Sequence, residues 1–276
     1  MHQIKQRVFL LCVIVIFSHC GGDKKDETPT ENITTPQTPE TPVLEYSITA
    51  TWPHDTTSFT EGFLIHNNQL FESTGSPSGS NFKSVFGIVN VKTGKIDVKA
   101  ELDKSTYFGE GITILKNKIY QLTYQNQLGF IYDAKSYKKI GQFNYQNKEG
   151  WGMTTDGTHI IMSDGTENLT FMDTDLKVVK TLTVAENGYA QQALNELEFI
   201  NGYIYANVWM TAYIVKIDPA TGNIVAKINL APMDYNIKNL YPKALEMNGI
   251  AFDSIADKIY VTGKAWPFIY EVAFKH

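Results

Sequence analysis

The chain has 276 residues and a net charge of −5, with no run of Lys and Arg that would make the basic face a nucleic-acid partner requires. Fifteen Tyr and fifteen Phe, with no long stretch of helical periodicity, favour a β protein. Both cysteines fall within the first twenty residues, so the rest of the chain has neither an internal disulfide nor thiol chemistry.

Residues 1–20 read as an export signal. Lys5 and Arg7 precede an apolar run over residues 8–17, too short to cross a bilayer. Cys20, followed by Gly21-Gly22-Asp23, stands where a bacterial lipoprotein is cleaved and acylated, although His19 is an unusual neighbour. The expectation is an exported protein of the cell envelope. It would meet a membrane only through a lipid on Cys20, and plain secretion is the alternative. Residues 21–42 are Lys, Asp, Glu, Thr and Pro with almost nothing to bury, the composition of a disordered tether. The folded domain is expected over residues 43–276. It opens with Leu44-Glu45-Tyr46-Ser47-Ile48, whose alternation is that of a strand.

A repeat follows. The segment from Glu61 (EGFLIHNNQLFESTG) aligns without gaps on those from Glu110 (EGITILKNKIYQLTY), Trp151 (WGMTTDGTHIIMSDG) and Asn195 (NELEFINGYIYANVW). The segment from Asn248 aligns with two extra residues in its turn. A period of about 40–50 residues is that of propellers and solenoids. Each unit is an apolar strand, a turn such as Asn67-Asn68, Lys116-Asn117, Asp156-Gly157 or Asn201-Gly202, and a returning strand rich in Ile and Tyr. Two more strand-like runs follow in most units, as in Val85-Phe86-Gly87-Ile88-Val89. Four antiparallel strands make a blade, and five units make an all-β, five-bladed propeller. Phe268-Ile269-Tyr270-Glu271-Val272 reads as the third strand of the last blade. The strand near residue 44 would supply its fourth and close the ring. Residues 186–194 are expected to form a loop or single helical turn before blade 4. Residues 236–245 form a second insertion, expected to overhang the channel mouth. A closed ring leaves few free strand edges, so a monomer is expected.

In a propeller the first strand of each blade lines the channel, so the start of that strand and the end of the second lie at one mouth. The starts are Glu61, Glu110, Trp151, Asn195 and Asn248; the ends are Gly75, Tyr124, Gly165, Trp209 and Lys264. Two carboxylates, two Trp, two Asn, one Tyr and one Lys should therefore converge on one aromatic-walled pocket with a few polar groups, the usual form of a small-molecule site. The four histidines outside the signal, His54, His66, His159 and His276, are far apart, and none has the spacing of a catalytic zinc site. There is no G-x-S-x-G and no P-loop. Asp133, Asp173, Asp175 and Asp218 stand at strand–turn junctions, where turn stabilisation is expected in preference to calcium binding.

Several motifs carry a resemblance. They are Phe59-Thr60-Glu61-Gly62, Tyr107-Phe108-Gly109-Glu110-Gly111, Tyr120-Gln121-Leu122-Thr123, Glu149-Gly150-Trp151-Gly152, Leu194-Asn195-Glu196-Leu197-Glu198, Tyr205-Ala206-Asn207-Val208-Trp209 and Val261-Thr262-Gly263-Lys264. In this order they resemble the plant and bacterial type of glutaminyl-peptide cyclotransferase, over nearly all of residues 46–274. The resemblance implies a five-bladed propeller that turns the N-terminal glutamine of a peptide or protein into pyroglutamate and releases ammonia, with no cofactor and no catalytic metal. It places Glu110 on the catalytic carboxylate, Asn195 and Lys264 on polar site residues, and Trp151 and Trp209 on the pocket walls. Glu61 and Tyr124 depart from the pattern, standing where many members have Gln and Trp. Glu61, Tyr124 and Asn248 are expected to contact the substrate. Two other readings fit the same residues. One is a non-catalytic propeller that binds a peptide or glycan at the same mouth. The other is a calcium-dependent, lactonase-like hydrolase using Glu61, Glu110, Asn195 and Asn248.

Overall fold

The structure is a computed structural model and describes residues 40–276. The expected signal, Cys20 and most of the expected tether lie outside the described residues. The described part is five blade sheets, a separate two-stranded ribbon and one short helix.

Blade 1 is built from Thr60–His66, Gln69–Thr74, Val85–Val89 and Ile96–Glu101. Blade 2 runs from Gly109–Leu115 to Lys139–Asn144, blade 3 from Met153–Thr155 to Val178–Thr183, and blade 4 from Leu194–Ile200 to Ile224–Asn229. Blade 5 takes Met247–Asp253, Lys258–Gly263 and Phe268–Phe274 from the C-terminal end and its outer strand, Tyr46–Pro53, from the N-terminal end. The five innermost strands touch in cyclic order, blade 5 against blade 1 included, so the ring is closed.

The turn chemistry is what the residues require. Asn67-Asn68, Lys116-Asn117 and Asn201-Gly202 all have positive φ at both positions, the mirror-image turn that suits twisted strands. Asp133, Asp173 and Asp218 each accept backbone N–H groups two to four residues on. Apolar faces of adjacent blades pack into a series of clusters. The one between blades 4 and 5 holds Tyr205, Ile250 and Trp266, whose indole N–H donates to the Leu245 carbonyl at 3.0 Å.

Three segments differ from the sequence reading. Glu45 separates two strands: Val43–Leu44 pairs in parallel with the outer strand of blade 4, and only Tyr46–Pro53 joins blade 5. The chain thus staples two blades, since alternation alone does not say which edge a strand meets. Residues 186–194 do not form a helical turn; Ala185–Glu186 pairs with Tyr189–Ala190 around Asn187-Gly188, both at positive φ. The insertion before blade 5 begins earlier than expected, as the helix Ala231–Leu240 with Pro232 in its first turn. Its Met233 and Ile237 are buried in the blade 4–5 cluster, and just beyond the insertion Glu246 lines the mouth cavity.

Candidate active site

Four of the five innermost strands carry a bulge at the mouth. Pairing slips between Thr60 and Gly62, between Gly109 and Ile112, between Leu194 and Leu197, and between Met247 and Ile250. The residues displaced are Glu61, Glu110, Asn195 and Asn248. A bulge adds a residue to one strand, bends it and re-aims the side chain, which is why bulges recur beside active sites. The repeated position singled out in the sequence is thus a repeated backbone distortion.

The bulges are pinned from the neighbouring blade. Ser73 of blade 1 donates its hydroxyl to the carbonyl of Glu110 at 2.6 Å and in turn accepts from Gln121 at 3.0 Å. Ser163 of blade 3 donates to the carbonyl of Asn195 at 2.7 Å, and the side-chain oxygen of Asn207 accepts from Gly249 N–H at 2.9 Å. The sequence reading missed these three. Each lies twelve residues after the mouth residue of its own blade, so the repeat register held the signal.

A cavity of about 1020 Å³ opens at this mouth. Glu61, Glu110, Tyr124, Trp151, Asn195, Trp209 and Lys264 all line it, joined by Phe59, Phe108 and Glu246, which were not expected. Asn248 does not reach it. Its side chain is buried and donates to the Thr60 carbonyl at 3.0 Å and to Glu61 Oε2 at 3.1 Å. Gly75 and Gly165 follow the second strands of blades 1 and 3, which end at Thr74 and Met162, where an aromatic ring lies against the backbone. A Cβ on Gly165 would stand 2.6 Å from the Trp151 indole, and one on Gly75 would strike the Phe108 ring.

The walls are aromatic. Trp151 and Trp209 meet edge to face, centroids 5.5 Å apart at 79°. The Trp151 indole N–H donates to Glu149 Oε2 at 2.9 Å, and Gln125 donates to the other oxygen of Glu149 at 2.9 Å. Phe82, Phe59, Phe108 and Tyr124 form a chain of ring contacts with centroids 5.4–5.9 Å apart.

The floor is polar and nearly dry. Lys264 Nζ is 2.8 Å from Glu61 Oε1 and 4.5 Å from the centroid of Phe59. Burial raises the Glu61 carboxyl, the charge of Lys264 pulls it back, and the outcome is about 7. Among the described residues no cation is bonded to Glu110; burial first, and then the charge of Glu61, hold its carboxyl well above the usual range. The side-chain oxygen of Asn195 is buried with no hydrogen-bond partner among the described residues. An orphaned acceptor beside a lysine and two carboxyl groups is a set built to receive a polar ligand. Glu61 is already engaged by Lys264 and Asn248, so it is not free in the way a calcium ligand would be.

A family model described as glutamine cyclotransferase matches residues 24–274. A curated Arabidopsis thaliana protein named glutaminyl-peptide cyclotransferase is 37% identical over 236 residues, covering 84% of this chain and 72% of its own length. The crystal structure of Myxococcus xanthus glutaminyl cyclase superposes with a TM-score of 0.77 at 30% identity, covering 85% of this chain and 98% of that one.

Proposed function

The chain belongs to the glutamine cyclotransferase family, and from that premise we propose how its mouth cavity closes an N-terminal glutamine into pyroglutamate. The reaction is an intramolecular aminoacyl transfer. The substrate's α-amine attacks its own γ-carbonyl carbon, a C–N bond forms, the amine gives up a proton, and the γ-amide nitrogen leaves as ammonia after gaining one. No other reactant and no metal enters this scheme.

Glu110 carries both proton transfers. A free α-amine has a pKa of roughly 8, so a carboxyl raised by burial is far better matched to it than an exposed one. It accepts the amine's proton at little cost and then holds an acidic proton for the departing nitrogen. The tetrahedral oxyanion needs donors; Lys264 keeps N–H groups beyond the one given to Glu61, and the Asn195 amide stands beside it. The unpartnered oxygen of Asn195 suits an N–H of the substrate. Trp151 and Trp209 clasp the aliphatic stem and exclude water. Because the ring closes within one residue, holding the reactive conformer is a large part of the task.

The observation that carries this reading is a buried carboxyl, Glu110, in one aromatic cavity with Asn195 and Lys264. The test is ammonia release from a Gln-initiated dipeptide, with and without a chelator. Turnover unaffected by the chelator is expected. Absence of turnover would return the protein to the peptide- or glycan-binding reading, and loss of turnover to the chelator would revive a metal-dependent one.

From the N-terminal signal and the closed ring we further propose a monomer of the cell envelope, held by a lipid on Cys20. Phase partitioning tests it: wild type should enter the detergent phase and Cys20→Ala the aqueous phase.

A further inference from the structure

The cavity is far larger than one glutamine needs. At about 1020 Å³ it stands at the top of the range for sites that take a whole drug-sized ligand. Its lining extends to one side. Beyond the ring of mouth residues, the lining comes from the loop after the second strand of blade 1, including Ser78 and Ser80, and from the loop entering blade 2, including Lys104 and Thr106. Gln125 and Asn126 complete that side. The opposite side is closed by the crossed indoles of Trp151 and Trp209.

This extension is built, not merely open. The Ser80 hydroxyl donates to the Pro77 carbonyl at 2.6 Å and accepts from Phe82 N–H at 3.3 Å, and Ser76 bonds Ser84 at 2.9 Å. Phe82 anchors the loop to the chain of rings that ends at Tyr124. Across from it, the Asp103 carboxylate accepts from the N–H and hydroxyl of Ser105 and from the hydroxyl of Thr106. The track presents hydroxyls and amides, with one lysine beside one engaged aspartate. Such a surface suits the alternating donors and acceptors of a peptide backbone and sets little demand on side chains.

We propose that the polypeptide following the N-terminal glutamine leaves the pocket across blades 1 and 2, seated between the loops carrying Ser78 and Thr106, which makes extended peptides the preferred substrates. This rests on the cyclase reading above. Contacts made far from the reacting atoms still lower the barrier when they help fix the reacting end.

The test compares kcat/KM for Gln-Ala and for Gln followed by five alanines, in wild type, Ser78→Trp, Thr106→Trp and Leu240→Trp. Ser78, Thr106 and Leu240 are all exposed, and Leu240 lies on the helix away from the track. Wild type should favour the hexapeptide by about tenfold, the ratio one good added contact gives. Either track variant should lower the hexapeptide rate enough to abolish that preference, and Leu240→Trp should change neither peptide. Equal rates for the two lengths in wild type, or track variants that slow both peptides alike, would overturn the track and leave the cyclase reading intact. No turnover of either peptide would overturn both.

Discussion

Glu61 and Glu110 are neighbouring carboxyl groups in one buried floor, and their environments pull them apart. Glu61 has Lys264 at 2.8 Å and Asn248 at 3.1 Å, which partly offset its burial; among the described residues Glu110 has no such partner. Glu61 therefore ionises near neutrality, and its charge raises Glu110 further. Replacing Glu61 by Gln keeps an acceptor for Lys264 and removes the titration. The pH–rate profile should lose an inflection near 7, and the Glu110 limb should move to lower pH. A profile identical to wild type would take Glu61 out of the coupling. Glu149 offers a second separable test, since it holds the Trp151 indole and adds negative charge at the rim. Glu149→Gln retains an acceptor and should leave KM within about twofold, whereas Glu149→Ala frees the indole and should raise KM by about tenfold, the effect of ~1.4 kcal/mol. Equal KM values for the two variants would show that the indole is held by its edge-to-face contact with Trp209 alone.

At the scale of the element, the repeat made the site legible because backbone geometry repeats. The same bulge displaces Glu61, Glu110, Asn195 and Asn248. The sequence could not say which displaced side chains reach the cavity, and Asn248 is taken up by Thr60 and Glu61 beneath it. Nor did the pairing of Lys264 with Glu61 follow from the repeat, because it depends on side-chain reach between blades 5 and 1. Another departure sits one residue further along blade 4, where Glu196 replaces the glycine found after the mouth residue in the other four blades. Its two oxygens accept from Phe63 N–H of blade 1 at 3.1 Å and Ile250 N–H of blade 5 at 2.8 Å. Gln at this position sets an NH₂ against one of those donors and should destabilise by about 1–3 kcal/mol. Glu198 is different: it accepts from Phe252 N–H at 2.8 Å and from the Thr154 hydroxyl at 3.3 Å, and a glutamine amide can donate to that hydroxyl instead. Burial pushes the Glu198 carboxyl up to about 8. The native state thus binds a proton that the unfolded chain has released between its ordinary value and 8. Glu198 adds stability below that ordinary value, and the addition is lost as pH rises towards 8. Chemical denaturation across this window should show stability falling with pH in wild type and a shallower fall in Glu198→Gln; equal slopes would contradict the assignment.

For the whole molecule, the five-bladed ring was legible because each blade opens with the same hairpin, and its closure because the last blade lacked a strand that the segment near residue 46 could supply. The helix Ala231–Leu240 was not, since a single amphipathic pair of turns with Met233 and Ile237 inward gives too short a period to stand out. Closure rests on Tyr46–Pro53 pairing with Phe268–Phe274 and on His54, which is buried and bonds the Trp266 carbonyl at 2.8 Å and Glu72 at 3.1 Å. Deleting residues 40–53 removes that strand pairing and exposes the edge of blade 5 while leaving His54 in place; a lowered Tm and concentration-dependent association are expected, and an unchanged Tm and monomeric elution would show that the ring holds without its closing strand. In the proposed mechanism the ring delivers one proton-shuttling carboxyl, Glu110, to a glutamine held between indoles. The direct measurement is kcat for ammonia release from a Gln-initiated dipeptide by wild type and by Glu110→Gln with matched circular dichroism. A loss of about 10²–10⁴-fold in kcat is predicted; equal rates in the two proteins would contradict the account.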